Sequence, residues 1–139
     1  MKKQTTLIRT LLVFTLFLFV MTSVGFAQPN YTIMTKDSAE LGNYIVDGQG
    51  NTLYYFTKDA PGVSITKGQV AINWPSFYTD HIVLPSELEM NDFGSITRED
   101  GMKQTTFRGW PLYYFNKDMN PGDVKGQNIN NAWFVIVIR

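Results

Sequence analysis

Downstream of residue 27, hydrophobic positions fall in short runs separated by clusters of Gly, Pro, Asn and Asp, and helical periodicity is sparse. Runs of this length bounded by turn residues predict strands. Asn43-Tyr44-Ile45-Val46 and Thr52-Leu53-Tyr54-Tyr55-Phe56 flank Asp47 to Asn51, which reads as a hairpin. A second hairpin is expected where Gly94 to Arg98 and Lys103 to Phe107 flank a turn holding Asp100-Gly101. Period two places Tyr54 and Phe56 on one sheet face and Leu53 and Tyr55 on the other; Tyr113 and Phe115 likewise oppose Leu112 and Tyr114. Strands apolar on both faces are covered on both sides. The run Ala132 to Ile138 is predicted as a central strand on the same ground. Two short helices are expected. One runs over Lys67 to Asn73 and stops before Trp74-Pro75; the other spans Pro85 to Met90 with Ser86 as N-cap.

Several of these elements occur twice. Leu53-Tyr54-Tyr55-Phe56-Thr57-Lys58-Asp59 returns as Leu112-Tyr113-Tyr114-Phe115-Asn116-Lys117-Asp118, followed in each case by Pro-Gly, Gly-Gln and a Trp. The landmarks recur at offsets of 58 to 60 residues, the mark of one supersecondary unit used twice. The predicted fold is mainly β: a single compact domain of two equivalent hairpin-plus-strand repeats with one or two short helices. Residues 28–40 are expected as a loose arm or edge strand. The two-repeat domain covers 41–139, with repeat one at 41–75, a linker at 76–92 and repeat two at 93–138.

The first 27 residues change the address of the protein. Lys2, Lys3 and Arg9 precede an uncharged apolar stretch from Leu11 to Met21, and Gly25 and Ala27 are small residues ahead of Gln28. This predicts a signal peptide cleaved near Ala27 and a periplasmic or secreted product, a spanning anchor being the alternative. The 28–139 segment keeps nine basic and twelve acidic residues, a formal charge of −3, and has no basic stripe. Nucleic acid is therefore not an expected partner. Cysteine is absent, so neither a disulfide nor a thiol-linked lipid anchor is available. The core must come largely from six Phe, seven Tyr and three Trp in 28–139.

The block Tyr-x-Phe-x-x-Asp followed by Pro-Gly, carried by Tyr54, Phe56 and Asp59 and again by Tyr113, Phe115 and Asp118, resembles a family of bacterial lipoproteins and secreted repeats with a Yx(FWY)xxD motif and unknown activity. Gly109-Trp110-Pro111-Leu112-Tyr113-Tyr114-Phe115 resembles a second hallmark, and the similarity runs from about 41 to 138. The resemblance implies an exported envelope module. Many relatives carry a lipid-bearing cysteine at the export site and a Cys-x-Gly-x-Cys ahead of Trp-Pro. Here the latter is Thr66-Lys67-Gly68-Gln69-Val70, which removes any thiol redox chemistry.

The six motif residues admit two roles. Asp59 and Asp118 could offer hard oxygen ligands or accept sugar hydroxyls, or they could bond backbone N–H groups in the turns that Pro-Gly completes. The tyrosines could stack on a ligand or fill the core. Trp110 lies in a segment specific to the second copy and, with Asp123, is the candidate for an exposed binding surface. Lys58 and Lys117 are expected as ion-pair partners of Asp59 and Asp118. His81 is the single histidine, so no usual zinc or haem ligand set exists, and no catalytic constellation or cofactor is predicted. The function expected is a non-enzymatic binding or structural module for an unknown envelope component or glycan. The alternatives are a carboxylate-based or metal-dependent hydrolase built on Asp59 and Asp118, and an electron-transfer accessory.

Overall fold

A computed structural model describes residues 25–139; the expected signal segment lies almost entirely outside them. The order is β1 (Ile33–Ser38), β2 (Gly42–Asp47), β3 (Tyr54–Phe56), α1 (Gln69–Asn73), a single 3-10 turn at Met90–Asp92, β4 (Phe93–Thr97), β5 (Lys103–Phe107), β6 (Trp110–Pro111) and β7 (Trp133–Val135). They form three small antiparallel sheets, β1-β2, β3-β7 and β4-β5-β6. The mainly β expectation holds, and no described helix is long and apolar enough to cross a membrane.

The alternation in the repeated motif divides the interior in two. Tyr54, Tyr113 and Phe115 join Tyr44, Trp74 and Trp133 in one cluster, with Phe56 packed against it. Leu53 and Leu112 join Ile33, Ile45, Phe77, Leu88, Phe107 and Ile136 in the other, with Tyr55 and Tyr114 at its edge.

Between the sheets, each copy's tryptophan segment pairs with the other copy. β7, from the end of the second copy, pairs with β3 of the first in the register Tyr54↔Val135 and Phe56↔Trp133. In exchange, the segment around Trp74 runs along the second copy: the N–H groups of Tyr114 and Asn116 donate to the carbonyls of Pro75 and Asn73 (2.8 and 2.9 Å). The hairpins join in the same way. Ile45 N–H donates to Ile136 O (3.0 Å), and Thr105 N–H to Phe77 O (2.9 Å). At the centre, Tyr54 and Tyr113 exchange both backbone hydrogen bonds, at 2.8 and 2.9 Å. Contacts thus recur at the offsets of the sequence repeat.

Three local expectations are corrected. The main partner of β2 is β1, paired from Ile33↔Asp47 to Ser38↔Gly42, so 33–38 is an edge strand and the counterpart of β4-β5 is β1-β2. The expected Asn43–Phe56 hairpin survives only near the turn, through the Val46↔Thr52 bridge and the Leu53 N–H bond to Ile45 O. The structure takes the edge-strand alternative within 28–40, which the sequence leaves open because Met34-Thr35-Lys36-Asp37 lacks clear apolar alternation. Second, the helix expected over 85–90 is a turn, closed by Leu88 N–H to Pro85 O (3.1 Å), ahead of the 3-10 turn. Leu88 is buried in the core, and so short a segment has too few internal bonds to offset helix nucleation. Third, β7 has a strand on one side only. Its other edge is taken by a loop, where the Gln127 side-chain oxygen accepts Val135 N–H (2.8 Å) and Trp133 O accepts Asn128 N–H (2.8 Å).

Candidate functional site

The motif residues converge on the seam between the copies. The Tyr113 hydroxyl donates to Asp59 Oδ2 and the Tyr54 hydroxyl to Asp118 Oδ2, both at 2.6 Å. The second oxygen of each carboxylate accepts a backbone N–H farther along its own loop, Ile65 for Asp59 (2.8 Å) and Lys125 for Asp118 (2.9 Å). Each aspartate therefore pins its loop and holds the tyrosine of the opposite copy. This combines the local bonding expected of a turn former with a contact across the seam that sequence alone does not show. Lys58 and Lys117 are exposed, and the described ion pairs of the domain lie elsewhere.

The rings follow the same exchange. Trp74 and Trp133 stack face to face at 3.9 Å and 1°. Phe115 lies on the outer face of Trp74 and Phe56 on that of Trp133, each at 4.2 Å. Tyr54 meets Trp74 edge-on at 5.4 Å, and Tyr113 meets Trp133 edge-on at 5.2 Å. Backbone glycines complete the seam. Gly62 N–H donates to Gly109 O and Gly122 N–H to Gly50 O; a Cβ on Gly109 would lie 3.0 Å from Pro61, and one on Gly50 3.1 Å from Pro121.

Burial shapes the ionisation of these groups. It raises the carboxyls of both Asp59 and Asp118 above the ordinary aspartate value, against the lowering effect of the tyrosine and backbone hydrogen bonds. Burial also raises Tyr54 and Tyr113, and the neighbouring carboxylates add to the rise. One half of the seam carries an additional polar relay. Arg98, buried, donates to Ser64 Oγ and Gln104 Oε1 (both 2.7 Å) and to Thr66 O (2.9 Å). Ser64 Oγ lies 2.6 Å from the Tyr113 hydroxyl, whose own proton is given to Asp59, so Ser64 donates. Buried Thr66 belongs to the same relay, its Oγ1 accepting from Arg98 Nη2 at 3.2 Å.

Asp123 is partly engaged in its own turn: its Oδ2 accepts Met119 and Asn120 N–H groups, both at 3.0 Å, and lies 3.9 Å from Lys125 Nζ. Those N–H groups are the first cause of its lowered pKa. Among the described residues, no group of three or more acidic or histidine side chains is placed to hold a metal ion.

Trp110 stands apart from the seam. It is half-buried and lines an open cavity of about 530 Å³. Tyr55 packs against it at 5.6 Å and against Phe134 at 6.1 Å, giving an aromatic wall. Arg108, Arg139 and Gln127 add polar groups to the lining.

Residues 94–137 match a family described as a secreted repeat of unknown function. The matched segment contains Trp110, Tyr113, Phe115, Asp118 and Trp133, that is, most of the second copy, and its description supports an exported protein. No curated protein and no solved structure shows a significant match.

Sequence reasoning missed the Arg98 relay and most of the cavity lining. Arg108 could have been noticed as the neighbour of Gly109-Trp110, but Phe134 and Arg139 reach the cavity only through the pairing of β7 with β3.

Proposed function

We propose that the protein is an exported, non-enzymatic binding module of the cell envelope, and that the aromatic cavity at Trp110 is its ligand site. The observation that carries this reading is the division of labour among the aromatic residues. The motif rings Tyr54, Tyr113 and Phe115 belong to the core cluster that joins the copies, with Phe56 packed against it, whereas Tyr55, Trp110 and Phe134 stay half-buried around open space. A concave, mostly apolar site of a few hundred cubic ångströms with a few polar groups is the usual form of a small-ligand site. Half-buried aromatic faces with polar neighbours suit the apolar faces of sugar rings, which favours an envelope glycan.

A hydrolase built on Asp59 and Asp118 gains no support from their bonding. Each carboxylate has both oxygens engaged, one by a buried phenol and one by a backbone N–H. A general acid or nucleophile needs an oxygen open to substrate. The test of the binding reading is a pull-down of the purified protein with insoluble cell-wall glycan, comparing wild type with Trp110→Ala. Retention that drops at least tenfold in the variant, with an unchanged circular dichroism spectrum, supports the site. Equal retention, or none by either protein, overturns it.

A further inference from the structure

The two copies present corresponding cavities with opposite electrostatic character. Beside Tyr114, the counterpart of Tyr55, lies a cavity of about 230 Å³ whose lining includes Asp47, Gly48 and Gln49. There the Tyr114 hydroxyl donates to Asp47 Oδ2 (2.8 Å), and the same carboxylate accepts the N–H groups of Gln49 and Asn51. In the second copy the positions of Asp47 and Gly48 are taken by Phe107 and Arg108, an assignment fixed by matching contacts: Gly48 N–H donates to Thr32 O, and Arg108 N–H to Asp92 O. A buried acid is replaced by an aromatic ring, and a glycine by a cation. The cavity beside Trp110 has two arginines and no Asp or Glu in its described lining, although 28–139 carries a formal charge of −3.

Arg108 is held in place at a backbone cost. Its φ of 49° lies in the left-handed region. Its guanidinium sits 4.9 Å from the Phe107 ring centroid, and Nη2 donates to Asp92 Oδ2 at 3.1 Å. That bond uses one of five guanidinium donors, and the side chain is 65% exposed. A cation is thus fixed beside the aromatic wall with donor capacity to spare.

We propose that the cavity at Trp110 recognises a carboxylate-bearing saccharide, with sugar rings against Trp110 and Tyr55 and the carboxylate between Arg108 and Arg139. The planar guanidinium matches a carboxylate through paired N–H donors, a preference a neutral sugar cannot exploit. This rests on the reading of that cavity as the ligand site.

The experiment separates the two. Trp74 and Trp133 are buried and Trp110 is not, so ligand-induced changes in tryptophan emission report on the cavity. The purified protein is titrated with tetragalacturonate and with chitotetraose, alongside the Arg108→Gln/Arg139→Gln variant and Trp110→Phe. Expected is at least tenfold tighter binding of the acidic probe, a preference that falls at least tenfold in the double variant and weakens with added salt, and no emission change in Trp110→Phe. Both arginines are exposed, and an unchanged melting temperature confirms that the double variant folds. Equal binding of the two probes, or an acidic preference that survives in the double variant, overturns the charge inference and leaves the cavity as a site. No response to either probe overturns both.

Discussion

At the scale of single residues, the duplicated motif is a set of polar and aromatic contacts given to the opposite copy, and the two tyrosine-aspartate bonds make their worth measurable. Removing one hydroxyl strands a buried acceptor, which costs about 1–3 kcal/mol. Tyr113→Phe should be the more damaging of the two changes. It strands Asp59 and also Ser64, which sits between Tyr113 and the buried Arg98, whereas Tyr54→Phe strands Asp118 and the Gly126 N–H alone. Urea unfolding of both variants checks the order; equal losses would mean that the Arg98 relay adds nothing. The same carboxyls predict a pH response. Burial raises Asp59 and Asp118 in the fold, so the folded state binds their protons more tightly than the unfolded chain does. Their contribution is fully present below about pH 4, the ordinary aspartate value, and is lost as pH rises through the raised folded values. Asp100 and Asp123 are lowered by backbone N–H bonds and act in the opposite sense, losing their contribution as pH falls below about 4. The urea midpoint should therefore rise as pH is lowered toward about 4 through the raised folded values of Asp59 and Asp118, and Asp59→Asn plus Asp118→Asn should flatten that rise. A wild-type midpoint that falls steadily over the same interval would contradict it.

At the scale of elements, the loop after the second Pro-Gly is fitted against the rings of Trp74 and Tyr54 at Gly126, whereas a Cβ on its counterpart Gly68 would meet nothing within 4 Å. An added Cβ on Gly126 would lie 2.7 Å from the Trp74 ring and 2.8 Å from Tyr54. Both rings are buried, so neither can move aside cheaply. Gly126→Ala should cost about 1–3 kcal/mol by overpacking, seen as a lower melting temperature, while Gly101→Ala, with no atom within 4 Å, should show only the smaller cost of its φ of 83°. Similar losses at both positions would refute the packing argument. What was legible in the sequence follows from the range of the forces involved. Alternation within Leu53 to Phe56 is local, and it sorted those side chains correctly into two interior clusters. The stop of α1 before Trp74-Pro75 was equally local. Strand exchange was not legible, because Trp74 and Trp133 meet through pairings between segments about forty and about eighty residues apart. β1 was expected only as one of two alternatives, a loose arm or an edge strand, because its polar composition suits an edge without requiring one. Of the candidate site, Trp110 could be singled out as a difference between copies, while Arg139 and Phe134 became neighbours of it only through the fold.

At the scale of the whole molecule, the exchange of tryptophan segments means that neither copy owns its core. β3 of the first copy pairs with β7 from the second, and the run around Trp74 pairs with the second copy in return. The four-ring stack Phe56, Trp133, Trp74, Phe115 alternates between copies at every step. A half deprived of its counterpart would expose these rings and leave strand edges unpaired, so the domain should unfold in one transition. Fluorescence from the stacked tryptophans and far-ultraviolet circular dichroism should then give coincident urea curves. The sharper expectation concerns coupling. Trp74→Ala and Trp133→Ala should each cost about 3–5 kcal/mol as large-to-small core changes, but either one already removes the central ring pair and frees the flanking phenylalanine of its neighbour. The double variant should therefore lose less than the sum of the singles, by about 0.5–3 kcal/mol, as residues in direct contact do. Should those variants prove too unstable to measure, Trp74→Phe and Trp133→Phe carry the same cycle with a smaller cavity. Strict additivity, or two separated unfolding transitions, would show that the copies are independent modules lying side by side, and the interlocked description would have to be abandoned.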